Sequence, residues 1–147
     1  MNTQENPRLA WAQSMLGQST SQSPSPFGRW LNGTIVEASE ACLVLDFIVR
    51  PEMTNPAGML HGGVTAGMFD EVMGMHHFLL NLSQFYPTIT LKIDYLGKAL
   101  PGEVVRVRTE LVKKGSTLLY FDGTMYNAEG KLLAKASTHM VVSRQSV

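Results

Sequence analysis

Residues 62–82 read GGVTAGMFDEVMGMHHFLLNL, and the reading of this stretch decides the fold. Val64, Met68, Val72, Met75, Leu79 and Leu82 recur at spacings of three and four, the rhythm of one helical face. Phe69, Met73 and Leu80 broaden that face until little of the helix is polar. A helix that is apolar nearly all round belongs in the middle of its domain. The flanking sequence must then supply the layer that covers it.

It does so by alternation. C-terminal to the helix, Ile89, Leu91, Ile93 and Tyr95 share one face of a strand, against Thr88, Thr90, Lys92 and Asp94. Val105, Val107, Thr109 and Leu111 follow a Pro101-Gly102 turn. Two more strands are predicted, from about Leu118 to Tyr126 and from Leu132 to Val142. The turns Lys114-Gly115-Ser116 and Asn127-Ala128-Glu129-Gly130 are short enough for hairpins. N-terminal to the helix, Leu43, Leu45, Phe47 and Val49 lie on one face of a strand that Arg50-Pro51 ends. An earlier strand is predicted from about Trp30 to Ala38. Farther out, Asn6, Pro7 and Gly17 mark the cap, first position and end of a short helix. The polar run QSTSQSPSP, residues 18–26, reads as a linker. Residues 1–26 are thus read as helix and linker, and 27–147 as a single domain. Its class is α+β: an antiparallel sheet of about six strands wrapped around one long central helix.

The chain has 147 residues, 44% hydrophobic and 16% charged, which suits one globular domain. Twelve basic residues balance twelve acidic ones, against the basic excess of a nucleic-acid-binding domain. Cys42 is the single cysteine, in the apolar run Cys42-Leu43-Val44-Leu45, and reads as a buried strand thiol. No secretory pattern opens the sequence and no apolar run is long enough to span a membrane. The expected location is the cytoplasm, with no membrane partner.

The chemistry gathers at the start of the central helix, in NPAGMLHGGVTAGMFDE, residues 55–71. Gly62-Gly63 stands where that helix begins. Free backbone N–H groups and the positive end of the helix dipole meet there, and glycine lets a ligand approach closely. Such a place can hold a polarised carbonyl oxygen. Asp70 and Glu71 follow about two turns later and point about 100° apart. From spacing alone, both suit surface ion pairs as well as they suit one reactive and one solvated carboxylate. Gly62 and Asp70 are eight residues apart, roughly 12 Å along one helix. If both serve one reaction, they come from different chains of an antiparallel homodimer, and a two-fold axis makes two such sites.

Asn55, then His61-Gly62-Gly63 six residues on, then Asp70 nine residues after the His, resembles the signature of PaaI-like acyl-CoA thioesterases. The similarity covers roughly residues 30–142. It implies a hotdog fold and hydrolysis of an acyl-CoA to free acid and CoA, with the thioester as substrate and no separate cofactor. It further implies that Asp70 activates water or attacks the thioester directly. The Gly62 backbone N–H would polarise the carbonyl, with Asn55 assisting and His61 shaping that end. Thr88 falls where the family often has a Ser that orients water. Lys113, Lys114, Gly115 and Ser116, with Tyr95, resemble positions that contact CoA. Two adjacent lysines suit phosphate, although an exposed turn is commonly Lys-rich with no ligand at all. Pairing of dimers into a tetramer is a further implication.

Rival chemistries lack their residues. His61, His76, His77 and His139 are available to a metal, but His76 and His77 are helix neighbours and cannot face one ion. No HExxH or CxxC appears, so no metal is expected. No Gly-x-Ser-x-Gly elbow or phosphate loop is present. The alternative from another class is a non-catalytic acyl-CoA-binding domain, a sensor or carrier, since fold does not fix function.

Overall fold

The computed structural model describes residues 5–144, so residues 1–4 and 145–147, the outer ends of the two segments read from sequence, lie outside it. Helix α1 (Pro7–Ser14) opens on Asn6, whose side chain accepts the Leu9 N–H at 3.0 Å. The Asn6 amide also donates to the Leu79 carbonyl at 2.8 Å, so α1 closes the C-terminal end of the central helix. Ala12 of α1 is fully buried.

Two N-terminal expectations need correction. The strand predicted from Trp30 begins only at Thr34, because Pro26–Leu31 forms a second helix, α2. Its cap is Ser25, which accepts the Gly28 N–H at 3.1 Å, followed by Pro at the first position. Asn32, in the left-handed region at φ 53°, turns the chain out of α2 into β1 (Thr34–Ala38). The polar run 18–26 is also no free connector. Gly17 N–H donates to the Ile35 carbonyl at 2.8 Å and Thr20 N–H to the Gly33 carbonyl at 2.7 Å. Backbone groups, not apolar side chains, tie that run down.

After β1 come β2 (Cys42–Ile48), a 3-10 turn at Pro51–Met53, and the central helix α3 (Gly62–Leu79). Strands β3 (Thr88–Tyr95), β4 (Val104–Lys114), β5 (Leu118–Asn127) and β6 (Leu132–Val141) complete the chain. All six strands form one antiparallel sheet in the order β1-β2-β4-β5-β6-β3, leaving β1 and β3 as edges. Met68, Phe69, Val72 and Met73 of α3 pack on the sheet with no exposure. Gly123 in β5 allows their close approach: a Cβ there would stand 2.8 Å from Phe69 and 2.9 Å from Met73.

The helix is not enclosed all round, as its composition suggests. Asp70, Gly74 and Phe78 face outward and are exposed. His76, by contrast, is wholly buried, its Nε2–H donating to the Glu40 carbonyl at 2.8 Å while Nδ1 meets Thr109 Oγ1 at 2.8 Å. Burial holds its pKa below the ordinary 6.5. Burial lowers His77 too, with the Arg8 charge adding to the effect against a backbone hydrogen bond at Gln84. Both rings are therefore neutral in the fold, whereas the unfolded chain takes up protons below pH 6.5. Stability is present in full above that pH and is lost as pH falls toward the folded pKa values. Thermal melts should give a constant Tm near neutrality and one several degrees lower at about pH 5.5. A flat profile would contradict the neutral burial of both rings.

Candidate active site

His61 is the N-cap of α3, and its ring does the capping: Nδ1 accepts the Gly63 N–H at 2.8 Å. The Val64 and Thr65 amides both donate to the His61 carbonyl at 3.0 Å. Of the first-turn amides of α3, that leaves the Gly62 N–H without a hydrogen-bond partner among the described residues. It is a free donor at the positive end of an 18-residue helix. Tyr95 packs its ring over Gly62, 3.3 Å from where a Cβ would stand, and its hydroxyl donates to the Gly62 carbonyl at 2.7 Å. In the chain as it stands, Tyr95 thus positions the helix start that presents this amide.

Asn55 shapes the approach to the same point. Its Oδ1 accepts the Ala57 N–H at 3.0 Å and the Met59 N–H at 3.1 Å, which folds residues 55–59 back on themselves. Gly58 takes φ 77° in this turn, a conformation that favours glycine. With Oδ1 engaged by two backbone donors, the side-chain amide of Asn55 is left to donate outward.

Asp70 is exposed on α3 and accepts the Thr88 hydroxyl at 3.1 Å. It makes no ion pair among the described residues, and neither does Glu71. The surface ion-pair reading of these two carboxylates therefore falls. Thr88 reaches Asp70 because the alternation read from sequence breaks in β3. The pairing slips between Thr88 and Thr90, opposite Met140 and His139. Thr88 consequently shares a face with the buried Met140 instead of with Lys92 and Asp94. A bulge at Ile89 turns its hydroxyl toward the helix.

Lys113 and Lys114 end β4 as exposed cations with no ion-pair partner among the described residues. Gly115 and Ser116 turn the hairpin, and the Tyr86 hydroxyl donates to the Ser116 carbonyl at 3.1 Å. Lys114, Leu119, Met140 and Thr88 lie in one row across four strands, which spans about 14 Å. The lysine hairpin and the Asp70–Thr88 pair therefore flank the same end of the sheet. Within one chain the structure brings Asp70 to Thr88 and Tyr95 to Gly62, but leaves Gly62 and Asp70 eight residues apart on one helix.

The remaining reactive groups are engaged otherwise. Burial pushes the Cys42 thiol up to about 11, which keeps it protonated and unsuited to attack. His139 stacks on Tyr120 at 4.7 Å. No group of three His, Cys, Asp or Glu able to hold a metal occurs among the described residues. No helix there is long and apolar enough to cross a membrane.

Comparison with known proteins agrees with this fold. The chain is 30% identical to human acyl-coenzyme A thioesterase 13 over 103 residues, 69% of this chain and 74% of that one. A hypothetical thioesterase of Streptococcus pneumoniae TIGR4, whose crystal structure contains coenzyme A, superposes with a TM-score of 0.73 at 26% identity. That match covers 79% of this chain and 89% of the other. Escherichia coli PaaI, from the phenylacetic acid degradation operon, shares the fold over 96% of this chain and 97% of its own. Its TM-score is 0.81 at 14% identity. The central helix and the sheet around it are those of a PaaI-like hotdog thioesterase. With residues 57–134 matching the family itself, the chain belongs to the thioesterase superfamily.

Proposed function

We propose that this protein hydrolyses an acyl-CoA thioester at two equivalent sites, each shared between the chains of a homodimer. The observation that carries this reading is the pair of unspent groups on α3. Among the described residues the Gly62 N–H has no acceptor, and Asp70 has no cation, only the Thr88 hydroxyl. One can meet a developing oxyanion and the other can take a proton. In the reaction, a water oxygen bonds to the thioester carbonyl carbon as Asp70 accepts the water proton. The carbonyl oxygen becomes an oxyanion held by the partner's Gly62 N–H and the Asn55 amide. That oxyanion collapses, the C–S bond breaks, and the proton passes to the CoA sulfur, leaving acid and thiol. Direct attack by Asp70 Oδ on the carbonyl is the other route the same carboxylate allows; it forms a mixed anhydride that water then opens.

Each neighbouring residue has a place in this scheme. Thr88 holds the carboxylate, and His61 and Tyr95 set the helix start. Lys113, Lys114, Gly115 and Ser116 meet the phosphates of CoA at the rim. The dimer follows from reach, since one helix cannot bring Gly62 and Asp70 within about 3 Å of one carbonyl. The edge strand β3 supports it, with Ile89 57% and Tyr95 55% exposed in the single chain. A purely binding domain has no need of a carboxylate left without a counter-charge.

The test is thiol release from short, long and aromatic acyl-CoAs by the wild-type protein. Release from at least one class is the expected result. A folded dimer that binds acyl-CoA yet releases thiol from none would overturn hydrolysis in favour of a sensor or carrier.

A further inference from the structure

A cavity of about 850 Å³ lies on the other flank of α3 from Thr88, and none of the reacting groups lines it. Its floor is Ile35, Leu45 and Phe47, each 1–2% exposed on the inner faces of β1 and β2. Residues 22–25 form one wall, and Gly74 and Met75 of α3 form the other. Trp11 and Phe78 stand at its rim, edge to face at 6.1 Å and both about 40% exposed. Its volume is that of a small-molecule site, and its floor offers no hydrogen-bonding group.

Of the residues lining the cavity, Gly74 lies nearest to the Asp70 face of the helix. Gly74 is one turn beyond Asp70, about 6 Å along the axis and about 40° round it. A Cβ at Gly74 would meet nothing within 4 Å, so the helix surface at that position is open. Glu71 also lines the cavity, half-buried beside Gly28 and without a hydrogen bond or ion pair among the described residues.

We infer that this cavity takes the acyl group of the substrate, entering across Gly74, and that it selects a neutral, apolar chain of medium length. The inference rests on the acyl-CoA reading above and names the acyl class for that site. Ile35, Leu45 and Phe47 reward each methylene drawn out of water. The Glu71 carboxylate repels chains that end in a carboxylate of their own. Gly74 is the specificity-determining position, because a side chain larger than a methyl there would stand in the passage.

Binding of non-hydrolysable thioethers tests this separately from turnover. S-octyl-CoA and S-ethyl-CoA are titrated calorimetrically into wild-type, Gly74→Ala and Gly74→Leu proteins. Each methylene fully buried is worth roughly fourfold in affinity, so burying only three or four of the six extra methylenes should already make wild type favour the octyl compound about a hundredfold. Gly74→Ala should keep most of that advantage. Gly74→Leu, a better helix former with room for its Cβ, should cut it to below about fivefold with no fall in Tm. A second probe uses Trp11 emission in a Trp30→Phe background, which should shift with S-octyl-CoA and not with S-ethyl-CoA. No chain-length advantage in wild type, an advantage that survives Gly74→Leu, or an unmoved Trp11 signal would overturn the inference. None of those outcomes bears on thiol release, which tests the reaction itself.

Discussion

Asp70→Asn should lower kcat for thiol release by about 10²-fold or more, the usual contribution of a positioned base. The substitution keeps the shape of the side chain and an oxygen that still accepts the Thr88 hydroxyl, now 3.1 Å away. It removes only the capacity to take a proton or to form an acyl bond. Asp70 is exposed and unpaired, so its loss leaves no buried charge stranded and the fold should not suffer. The comparison is Glu71→Gln, one residue away on the same helix. Glu71 points about 100° round the helix, toward the cavity beside Gly74, and its neutral variant should retain kcat on a short acyl-CoA to within a few-fold. Equal losses in the two variants would mean that the wrong carboxylate has been chosen. Full activity in Asp70→Asn would remove Asp70 from the mechanism.

Thr88 adds a graded version of the same test by its geometry. Its role is to hold Asp70, so removing the hydroxyl should cost less than removing the carboxylate. That ranking follows from one hydrogen bond, which is worth about 1 kcal/mol or somewhat more to a charged acceptor.

The central helix could be read from sequence because its signal is dense. Val64, Met68, Val72, Met75 and Leu79 keep the helical interval without a break, and the structure forms α3 over Gly62–Leu79. The sheet was legible for a similar reason, since long strands such as β4 and β5 alternate over about their first eight residues. Helix α2 was hidden because its cap, Ser25-Pro26, ends a run of serines and prolines that reads as linker. A cap needs only three residues, too few to stand out against such composition. The orientation of Thr88 was hidden for a different reason. A bulge is a slip in backbone pairing, and no side chain in TITLKIDY records it. In sequence the Asp70–Thr88 contact therefore rests on family resemblance alone, and the pairing of β3 with β6 supplies its physical reason.

The site itself was half legible. His-Gly-Gly marks a helix start at which glycine invites close approach, and the structure puts His61 at the cap with a free Gly62 amide behind it. Tyr95, by contrast, reads by family resemblance as a ligand contact. In the fold its hydroxyl is spent on the Gly62 carbonyl, a partner 33 residues away that no local pattern announces. The cavity beside Gly74 depends on residues 19–25, a run that backbone hydrogen bonds joining Gly17, Gln18 and Thr20 to Gly33 and Ile35 hold beside β1. Nothing in their side chains announces that.

Mixing two inactive variants should restore activity to about a quarter of the wild-type level if each site draws on both chains. One partner is Asp70→Asn. The other is Gly62→Pro, which deletes the free N–H while leaving the rest of the helix start in place. Position 62 tolerates proline on backbone grounds. It is the first residue of α3, where the N–H lacks an intrahelical acceptor in any case. The preceding His61, at φ −64° and ψ 136°, already has the extended conformation that a following proline demands. Tyr95 must yield slightly, since a Cβ at Gly62 would stand 3.3 Å from its ring. Random exchange of subunits makes about half of the dimers mixed, and each mixed dimer carries one intact site of two. That site combines Gly62 from the Asp70→Asn chain with Asp70 from the Gly62→Pro chain. Against homodimers lowered by about 10²-fold, recovery to a quarter is a rise of about 25-fold, well outside assay error. If Gly62 and Asp70 of the same chain formed the site, every mixed dimer would carry only defective sites. Activity would then stay at the average of the two parents, and the helix would have to bend or break to join groups that lie roughly 12 Å apart along it.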